Sequence, residues 1–134
     1  MSLYMLDTDT CAFVLRKSSP GLLTRIQAIP LGQQCMSVVT FAELLYGVQL
    51  STKKKANREA VDAMTRHLQI LQWTPDAAEH YADIRVDLRK KGQQLGANDL
   101  MIAAHARSLG AVIVTNNLKD FGRVKGLRVE NWLD

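Results

Sequence analysis

The sequence predicts an α/β fold in which a central, mostly parallel sheet is covered by helices on both faces. The first indication is a pair of continuously apolar segments, 3–6 and 111–114, each of which ends abruptly in polar residues. Such runs are typical of strands that are buried on both faces. The second indication is that helical patterns separate the candidate strands, as crossover connections between parallel strands require. The length of 134 residues fits one domain spanning residues 1–134.

The remaining strands are predicted from shorter signals. Segments 35–39 and 70–73 are apolar enough to join the sheet, although each is brief. Segment 127–132 alternates apolar and polar residues, which favours a strand at the edge of the sheet. Five strands are therefore expected.

Capping residues and helical spacing predict the helix boundaries. Proline is favoured in the first turn of a helix, and Ser, Thr, Asn and Asp are favoured just before it. One helix is expected to begin near residue 10 and another to cover 53–69. The other predicted starts are at Ser19 and Pro20, at Thr40, at Thr74 and Pro75, and at Asn98.

The composition excludes several classes of protein. Apolar residues make up 47% of the chain and charged residues 22%, which is incompatible with general disorder. No apolar run approaches the roughly 20 residues of a membrane-spanning helix, and Asp7 stands too early for a signal peptide, so we expect a cytoplasmic protein without a membrane partner. Cys11 and Cys35 do not form a zinc-ribbon or disulfide pattern. The net charge of +4 permits a polyanionic partner.

Acidic residues recur just after the predicted strands. Asp7 and Asp9 follow the first apolar strand, and Glu43 lies in the first predicted turn of the helix after the second strand. Asp99 begins the helix that leads into the last apolar strand, and Asp120 lies a few residues beyond that strand. Ligands of open parallel sheets bind at the carboxyl ends of the strands, where such residues meet. We therefore expect these acids to lie close together.

Each acid also has a structural interpretation. Asp7 or Asp9 suits an N-cap, and Asp99 in a first helical turn is favoured by the helix dipole. Thr40 and Glu43 match a capping box, in which the glutamate bonds only to backbone. Asp99 nevertheless shares its helix face with small apolar residues, so its carboxylate is expected at the rim of the core and not in open water.

Carboxylates gathered in one place repel each other, and the donor set indicates what relieves the repulsion. Two like charges at ~4 Å cost about 4 kcal/mol at an effective dielectric constant of 20. Oxygen donors without His or Cys point to Mg²⁺, with Mn²⁺ as an alternative, and not to zinc. A cation held by one or two carboxylates with water in its other positions is typical of phosphoryl chemistry.

The chain resembles the PIN-domain ribonucleases, specifically the VapC-type toxins of bacterial toxin–antitoxin pairs. The resemblance covers essentially the whole chain. It rests on five segments in the same order: MLDTD at 5–9, SVVT followed by AEL and a glycine at 37–47, GAND followed by AAHA at 96–106, VTNN followed by DF at 114–121, and GL to NW at 126–132.

The resemblance implies a catalytic set of Asp7, Glu43 and Asp99, of which Asp7 and Asp99 are the Mg²⁺ ligands. Many relatives carry a fourth acid two positions after Thr115. This chain has Asn117 there, so the fourth carboxylate is either absent or supplied by Asp120, which completes the candidate set. Residues expected to orient the ligands are Thr8, Asp9, Thr40, Thr115 and Asn117.

The implied activity is metal-dependent hydrolysis of RNA phosphodiesters that blocks translation. The implied substrate is tRNA, with the anticodon arm of initiator tRNA as a candidate target, and the implied partners are a cognate antitoxin protein and a second copy of the chain. Basic residues are expected beside the acidic site, and Arg123, Lys125 and Arg128 are the candidates for phosphate contacts. Clusters 53–55 and 89–91 are interpreted as solvated helix faces and turns.

Two other functions stay open on the sequence alone. A haloacid-dehalogenase-like phosphatase has the pattern Asp-x-Asp-x-Thr after a strand, but Cys11 stands where the threonine is expected. A non-catalytic RNA- or protein-binding module is favoured by the capping-box interpretation of Glu43 and by the missing fourth acid. The three histidines have no spacing typical of a metal site, and we expect them to be structural.

Overall fold

Five parallel strands form the centre of the computed structural model, which describes residues 2–133. They are β1 (Tyr4–Leu6), β2 (Gln34–Ser37), β3 (Gln69–Leu71), β4 (Val112–Val114) and β5 (Arg128–Glu130). Their order across the sheet is β3-β2-β1-β4-β5, so the apolar strands β1 and β4 lie side by side and β5 lies at an edge, as expected. The predicted α/β fold with a parallel sheet is confirmed.

Helices connect the strands. They are α1 (Thr8–Arg16), α2 (Pro20–Ala28), α3 (Val38–Leu50), α4 (Lys54–Thr65), α5 (Pro75–Lys90), α6 (Ala97–Ser108) and α7 (Leu118–Phe121). The predicted caps of α2 and α5 are confirmed, since the Ser19 hydroxyl accepts from Leu22 N and the Thr74 hydroxyl accepts from Ala77 N. Among residues 2–133, no helix is both long enough and apolar enough to cross a bilayer.

Three helix boundaries differ from the prediction. The prediction that Thr40 starts a helix is wrong, because the Ser37 hydroxyl accepts from Val39 N at 3.1 Å and α3 begins at Val38. The valines before Thr40 were read as strand because β-branched residues favour strands. The prediction that Asn98 caps a helix is also wrong, since the N-cap of α6 is Gly96. Helix α4 ends at Thr65, earlier than expected, because the chain must turn into β3.

The core is divided by the sheet into two clusters. Successive residues of a strand point to opposite faces, so each central strand contributes to both clusters. Met5, Cys35 and Ile113 pack with α5 and α6, and the residues after them, Leu6, Met36 and Val114, pack with α1 to α4. Helices therefore cover both faces of the sheet, as predicted.

The strand order also positions the candidate site. From β1 the chain crosses to β2 on one side, whereas β4 lies on the other side of β1. Such a reversal opens a crevice at the carboxyl ends of the two strands. Asp7, directly after β1, donates its backbone N–H to Val114 O at the end of β4, with a distance of 3.0 Å. Asp7 therefore stands at the mouth of this crevice.

Replacing Ile113 by Ala is expected to lower the free energy of unfolding by about 2–5 kcal/mol, because its side chain is fully buried in the central strand β4. Ile70→Ala in the edge strand β3 is the matched control, since Ile70 is 37% exposed and loses far less burial. Urea unfolding of both variants measures the difference. Equal losses of unfolding free energy in the two variants would show that the centre of the sheet contributes no more to stability than its edge.

Candidate active site

The crevice at the carboxyl ends of β1 and β4 is called the acidic crevice here. Asp7 lies at its mouth and also caps helix α1. Its side chain is 2% exposed, and its Oδ1 accepts a hydrogen bond from Thr10 N at 2.9 Å, which confirms the N-cap interpretation. The Thr115 side chain also hydrogen-bonds to it, whereas the Thr10 hydroxyl donates to Val114 O at 3.0 Å. Burial raises the pKa of Asp7, and these hydrogen bonds only partly offset that effect. The charge of Asp9, which is exposed in the first turn of α1, raises it further.

Glu43 is held by side chains from two other helices. Thr8 Oγ1 on α1 donates a short hydrogen bond to Glu43 Oε1, and Asn98 Nδ2 on α6 donates to Glu43 Oε2 at 3.1 Å. The buried hydroxyl of Thr40 lies 3.3 Å from Thr8 Oγ1. The capping-box interpretation is therefore wrong, because both oxygens of Glu43 contact side chains and its helix begins five residues earlier. The non-catalytic alternative loses one of its two supports.

Asp99 experiences the charges of all the other acids singled out in the sequence. Burial is the largest cause that raises the pKa of Asp99, to about 6, from an ordinary value of 3.8. The charges of Asp7, Glu43, Asp9 and Asp120 raise it as well. Charges act over short distances in salt solution, since the screening length is about 8–10 Å. Five acids from four separate chain segments therefore share one region, as the sequence predicts.

Asp120 lies in this region with both carboxylate oxygens already engaged. Asn117 Nδ2 donates to Asp120 Oδ2 at 2.9 Å, and Arg123 Nη1 lies 3.4 Å from Asp120 Oδ1. Asn117 Oδ1 also accepts from Asp120 N at 3.2 Å and thereby caps α7, a short helix that the sequence did not predict. Thr115 Oγ1 accepts from Asn117 N at 3.0 Å, so this loop is held rigidly.

The three basic candidates for phosphate contacts are not brought together. Arg123 lies beside Asp120 at the acidic crevice. Arg128 begins β5 and donates to Gly110 O at 3.0 Å, at the amino ends of the strands. The backbone oxygen of Lys125 accepts from Arg107 near the end of α6, about 12 Å along that helix from Asp99. The reason is topological: a parallel β5 must start at the amino edge, so the chain leaves the site after Arg123.

The sequence does not predict Asn98 as part of the candidate site, and two of the three histidines make contacts within the fold. Asn98 was taken for a helix cap, although its position beside Asp99 in the GAND motif was a signal for a site role. His105 is buried with Nδ1 2.8 Å from Ser37 Oγ, and His80 Nδ1 accepts from Arg107 Nε at 2.8 Å. Both link separate elements, which fits a structural role.

The donor set fits a hard divalent cation with few protein ligands. Within residues 2–133, no three Asp, Glu, His or Cys side chains are arranged so that together they could hold an ion. Structural zinc requires four such ligands and catalytic zinc three, whereas Mg²⁺ is commonly bound by one or two carboxylates and keeps several waters. Burial, and after it the charges of neighbouring acids, raise the pKa of both Asp7 and Asp99, and a bound cation would favour their charged forms.

Comparison with known proteins places this crevice in a family. The PIN domain family matches residues 4–127. Ribonuclease VapC2 of Haemophilus influenzae is 40% identical over 130 residues, which are 97% of this chain and 98% of the relative. The tRNA(fMet)-specific endonuclease VapC of Salmonella typhimurium is 38% identical over 129 residues, 96% of this chain and 97% of the relative.

Solved structures agree with the sequence relatives. In the crystal structure of DNA-bound VapBC from Salmonella typhimurium, a chain 38% identical to this one superposes with a TM-score of 0.93, over 98% of this chain and 99% of that chain. The chain belongs to the PIN-domain family. Within that family the resemblance to VapC-type ribonucleases is confirmed, and the phosphatase alternative is not favoured.

Proposed function

We propose that the protein is a Mg²⁺-dependent endoribonuclease, the toxin of a type II toxin–antitoxin pair, and that residues 1–134 form its single nuclease domain. The observation that carries this proposal is the convergence of Asp7, Glu43, Asp9 and Asp120 on Asp99, whose pKa is raised by burial and further by the charges of these acids. Such repulsion in a folded protein costs stability and is typical of sites where charge has a function. The VapC relatives supply the class of reaction.

The residues have distinct roles in this proposal. Asp7 and Asp99 hold the cation, and Mn²⁺ is a substitute for Mg²⁺ there. When bound, the cation neutralises charge on the scissile phosphate and lowers the pKa of a bound water. Glu43 accepts a proton from the attacking water with the lone pairs that Thr8 and Asn98 leave free. The Thr10 backbone N–H and the Thr115 side chain hold the Asp7 carboxylate in one orientation.

Asp120 has a supporting role in this scheme. Asn117 donates to Asp120 Oδ2 and Arg123 lies beside Oδ1, so Asp120 contributes an oriented negative charge to the crevice. Asp9 is exposed at the start of α1, and we assign it the same role, that of a negative charge at the rim of the crevice. Asp120 is thus the candidate for the fourth carboxylate that this chain lacks at Asn117.

The substrate we propose is tRNA, and the anticodon arm of initiator tRNA is its candidate cleavage site. The support is that VapC relatives from Salmonella typhimurium and Shigella flexneri are named tRNA(fMet)-specific endonucleases. Cleavage there blocks translation and requires a cytoplasmic enzyme. Sequencing the ends of cellular RNA after brief expression of the chain tests the target. A new 5′ end in the anticodon arm is expected, and uncleaved tRNA would contradict the target.

The partners we propose are a second copy of the chain and a cognate antitoxin. Solved neighbours include VapBC from Rickettsia felis bound to a promoter DNA fragment. A groove of about 380 Å³ between α1, α3 and α4 fits an antitoxin segment, since it is lined by Leu15, Leu44 and Val61 and reaches Thr8 and Glu43 at its polar end. An antitoxin lying there covers the acidic crevice.

Asn98→Ala is expected to lower kcat for RNA cleavage about 10–100-fold with little change in KM, because Glu43 loses the donor to Oε2 that fixes its orientation. Thr8→Val, which removes the donor to Oε1 at constant shape, is expected to act in the same direction. Steady-state kinetics on a defined RNA measures both variants.

Gln27→Ala is the control for Asn98→Ala, since Gln27 is an exposed amide on α2 outside this crevice. Its kinetics should match those of the parent. A rise in KM at constant kcat for Asn98→Ala would show that Asn98 binds substrate and does not position Glu43.

A further inference from the structure

Beside the acidic crevice lies a second cleft that the proposed mechanism does not use. It encloses about 550 Å³ between the C-terminal half of α5, the turn that follows it and the first turn of α6. Ala97 and Leu100 form the α6 wall, and they flank Asp99 on the same helical turn. One wall of the cleft therefore lies on the helical turn that carries Asp99.

The turn that closes this cleft has a fixed conformation. Helix α5 ends where Gly92 adopts φ +67°, and Gln93 N then donates to Leu88 O at 2.9 Å. The left-handed conformation is favourable for glycine, so the chain leaves α5 in a defined direction. Arg123 Nη1 lies 3.5 Å from Gln94 O and thereby joins the turn to Asp120 at the acidic crevice.

The charged side chains that line the cleft are two arginines, Arg85 and Arg89. They are one helical turn apart on α5, so they share a face. Among residues 2–133, no carboxylate lies within ion-pair distance of either. The neighbouring acids of α5 are neutralised elsewhere, since Asp83 pairs with Arg107 at 2.6 Å and Asp87 pairs with Lys91 at 2.9 Å. The cleft therefore carries uncompensated positive charge.

One of these arginines is already ordered. Arg85 Nη1 donates to Tyr81 Oη at 2.9 Å, and its guanidinium carbon lies 5.9 Å from the centre of the Tyr81 ring. An arginine held in place binds a phosphate with less loss of side-chain entropy than a free one. Arg89 is exposed at the mouth of the cleft.

We propose that this cleft binds the sugar-phosphate backbone of RNA next to the cleavage site, with Arg85 and Arg89 contacting phosphates. The inference rests on the proposed ribonuclease function. An acidic crevice repels a polyanion, so a nuclease of this kind needs cations beside the carboxylates. The cleft supplies them on α5, and Arg123 joins the turn of the cleft to Asp120 in the acidic crevice. This proposal assigns Arg89 a contact with RNA, whereas the sequence alone favours a solvated turn for cluster 89–91.

The test is the affinity of the Arg85→Gln/Arg89→Gln variant for a short fluorescein-labelled single-stranded RNA, measured by anisotropy in EDTA over a series of salt concentrations. Binding is expected to weaken about tenfold at low salt, and the slope of log affinity against log salt is expected to fall by about 1.4, the value for two lost phosphate contacts. With Mg²⁺ present, KM should rise while kcat at saturating RNA changes little.

The control is Arg58→Gln/Arg66→Gln on α4, which removes the same charge on the other face of the sheet. Its salt slope should equal that of the parent. Because Arg85 contacts Tyr81, the single variant Arg89→Gln provides a second test with less effect on folding, and Arg89→Lys should restore the slope.

Several results would overturn the inference. Equal losses of RNA affinity in the cleft and control variants would show that net charge alone causes the effect. An unchanged slope of log affinity against log salt would show that the RNA binds elsewhere. Weakened binding of the antitoxin alone would assign the cleft to that protein. Failure of the proposed function is distinguishable, because a parent that binds RNA through this cleft in EDTA but cleaves none with Mg²⁺ refutes only the nuclease proposal.

Discussion

Asp99→Asn is expected to abolish RNA cleavage while making the metal-free protein more stable at neutral pH. The loss of activity should exceed about 10³-fold, because a cation contributes several kcal/mol to the transition state and Asp99 is one of its two proposed ligands. The gain in stability follows from the pKa of Asp99, which burial and the neighbouring acids raise from 3.8 to about 6.

The pH window of the stability effect follows from the same values. Between pH 3.8 and about 6 the folded protein binds more protons at Asp99 than the unfolded chain does. The free energy of unfolding therefore falls as pH rises through this window, and above about pH 6 the loss is complete. The variant lacks this loss and should therefore be more stable than the parent at pH 7.5 in EDTA, with a difference that disappears below about pH 3.8.

Urea unfolding at several pH values and cleavage assays with Mg²⁺ measure the two effects. Asp76→Asn is the matched control, because Asp76 is also a first-turn acid of a long helix but is exposed. It should change stability by no more than about 1 kcal/mol, the size of a helix-dipole effect, and leave cleavage intact. An active Asp99→Asn protein would refute the assignment of the site.

Removing divalent metal is expected to stop cleavage completely, and Mg²⁺ or Mn²⁺ should restore it. The same cations should raise the melting temperature of the parent by several degrees, because a ligand at about 100 times its Kd adds about 2.7 kcal/mol to the stability of the folded state. The stabilisation should weaken below about pH 6, where protons compete for Asp99.

The variant Asp7→Asn separates specific binding from general ionic effects. Asparagine is as good an N-cap as aspartate, so α1 should keep its start while one proposed ligand loses its charge. Its melting temperature should not respond to Mg²⁺ beyond the response to an equal ionic strength of NaCl. Cleavage that persists in EDTA would rule out a metal-dependent mechanism.

The fold and the inner acids were predictable because their signals are local and strong. Unbroken apolar runs identified β1 and β4, and the rule that ligands bind at the carboxyl ends of parallel strands drew attention to five acids. The choice of Asp7 and Asp99 among them as cation ligands came from the resemblance to PIN-domain ribonucleases. The start of α3 was misjudged because Val38 and Val39 favour a strand locally, whereas the Ser37 cap starts the helix. Local propensity is a weak guide where tertiary contacts decide.

The remaining site features depend on contacts between distant segments, which no local pattern encodes. Asn98 contacts Glu43 across a separation of 55 residues. The placement of Arg123 away from Lys125 and Arg128 follows from the direction of β5, which is known only once the strand order is known. The cleft of Arg85 and Arg89 likewise depends on how α5 packs against α6.

The pairing of β1 with β4 has a consequence for when the protein becomes harmful during its synthesis. Tyr4 lies opposite Val112, so the middle of the sheet cannot close until most of the chain has left the ribosome. A nascent or truncated polypeptide that ends before Val112 therefore lacks the neighbour that shapes the crevice, and it should be inert towards RNA. Completion of the crevice is thus linked to synthesis of the last fifth of the chain.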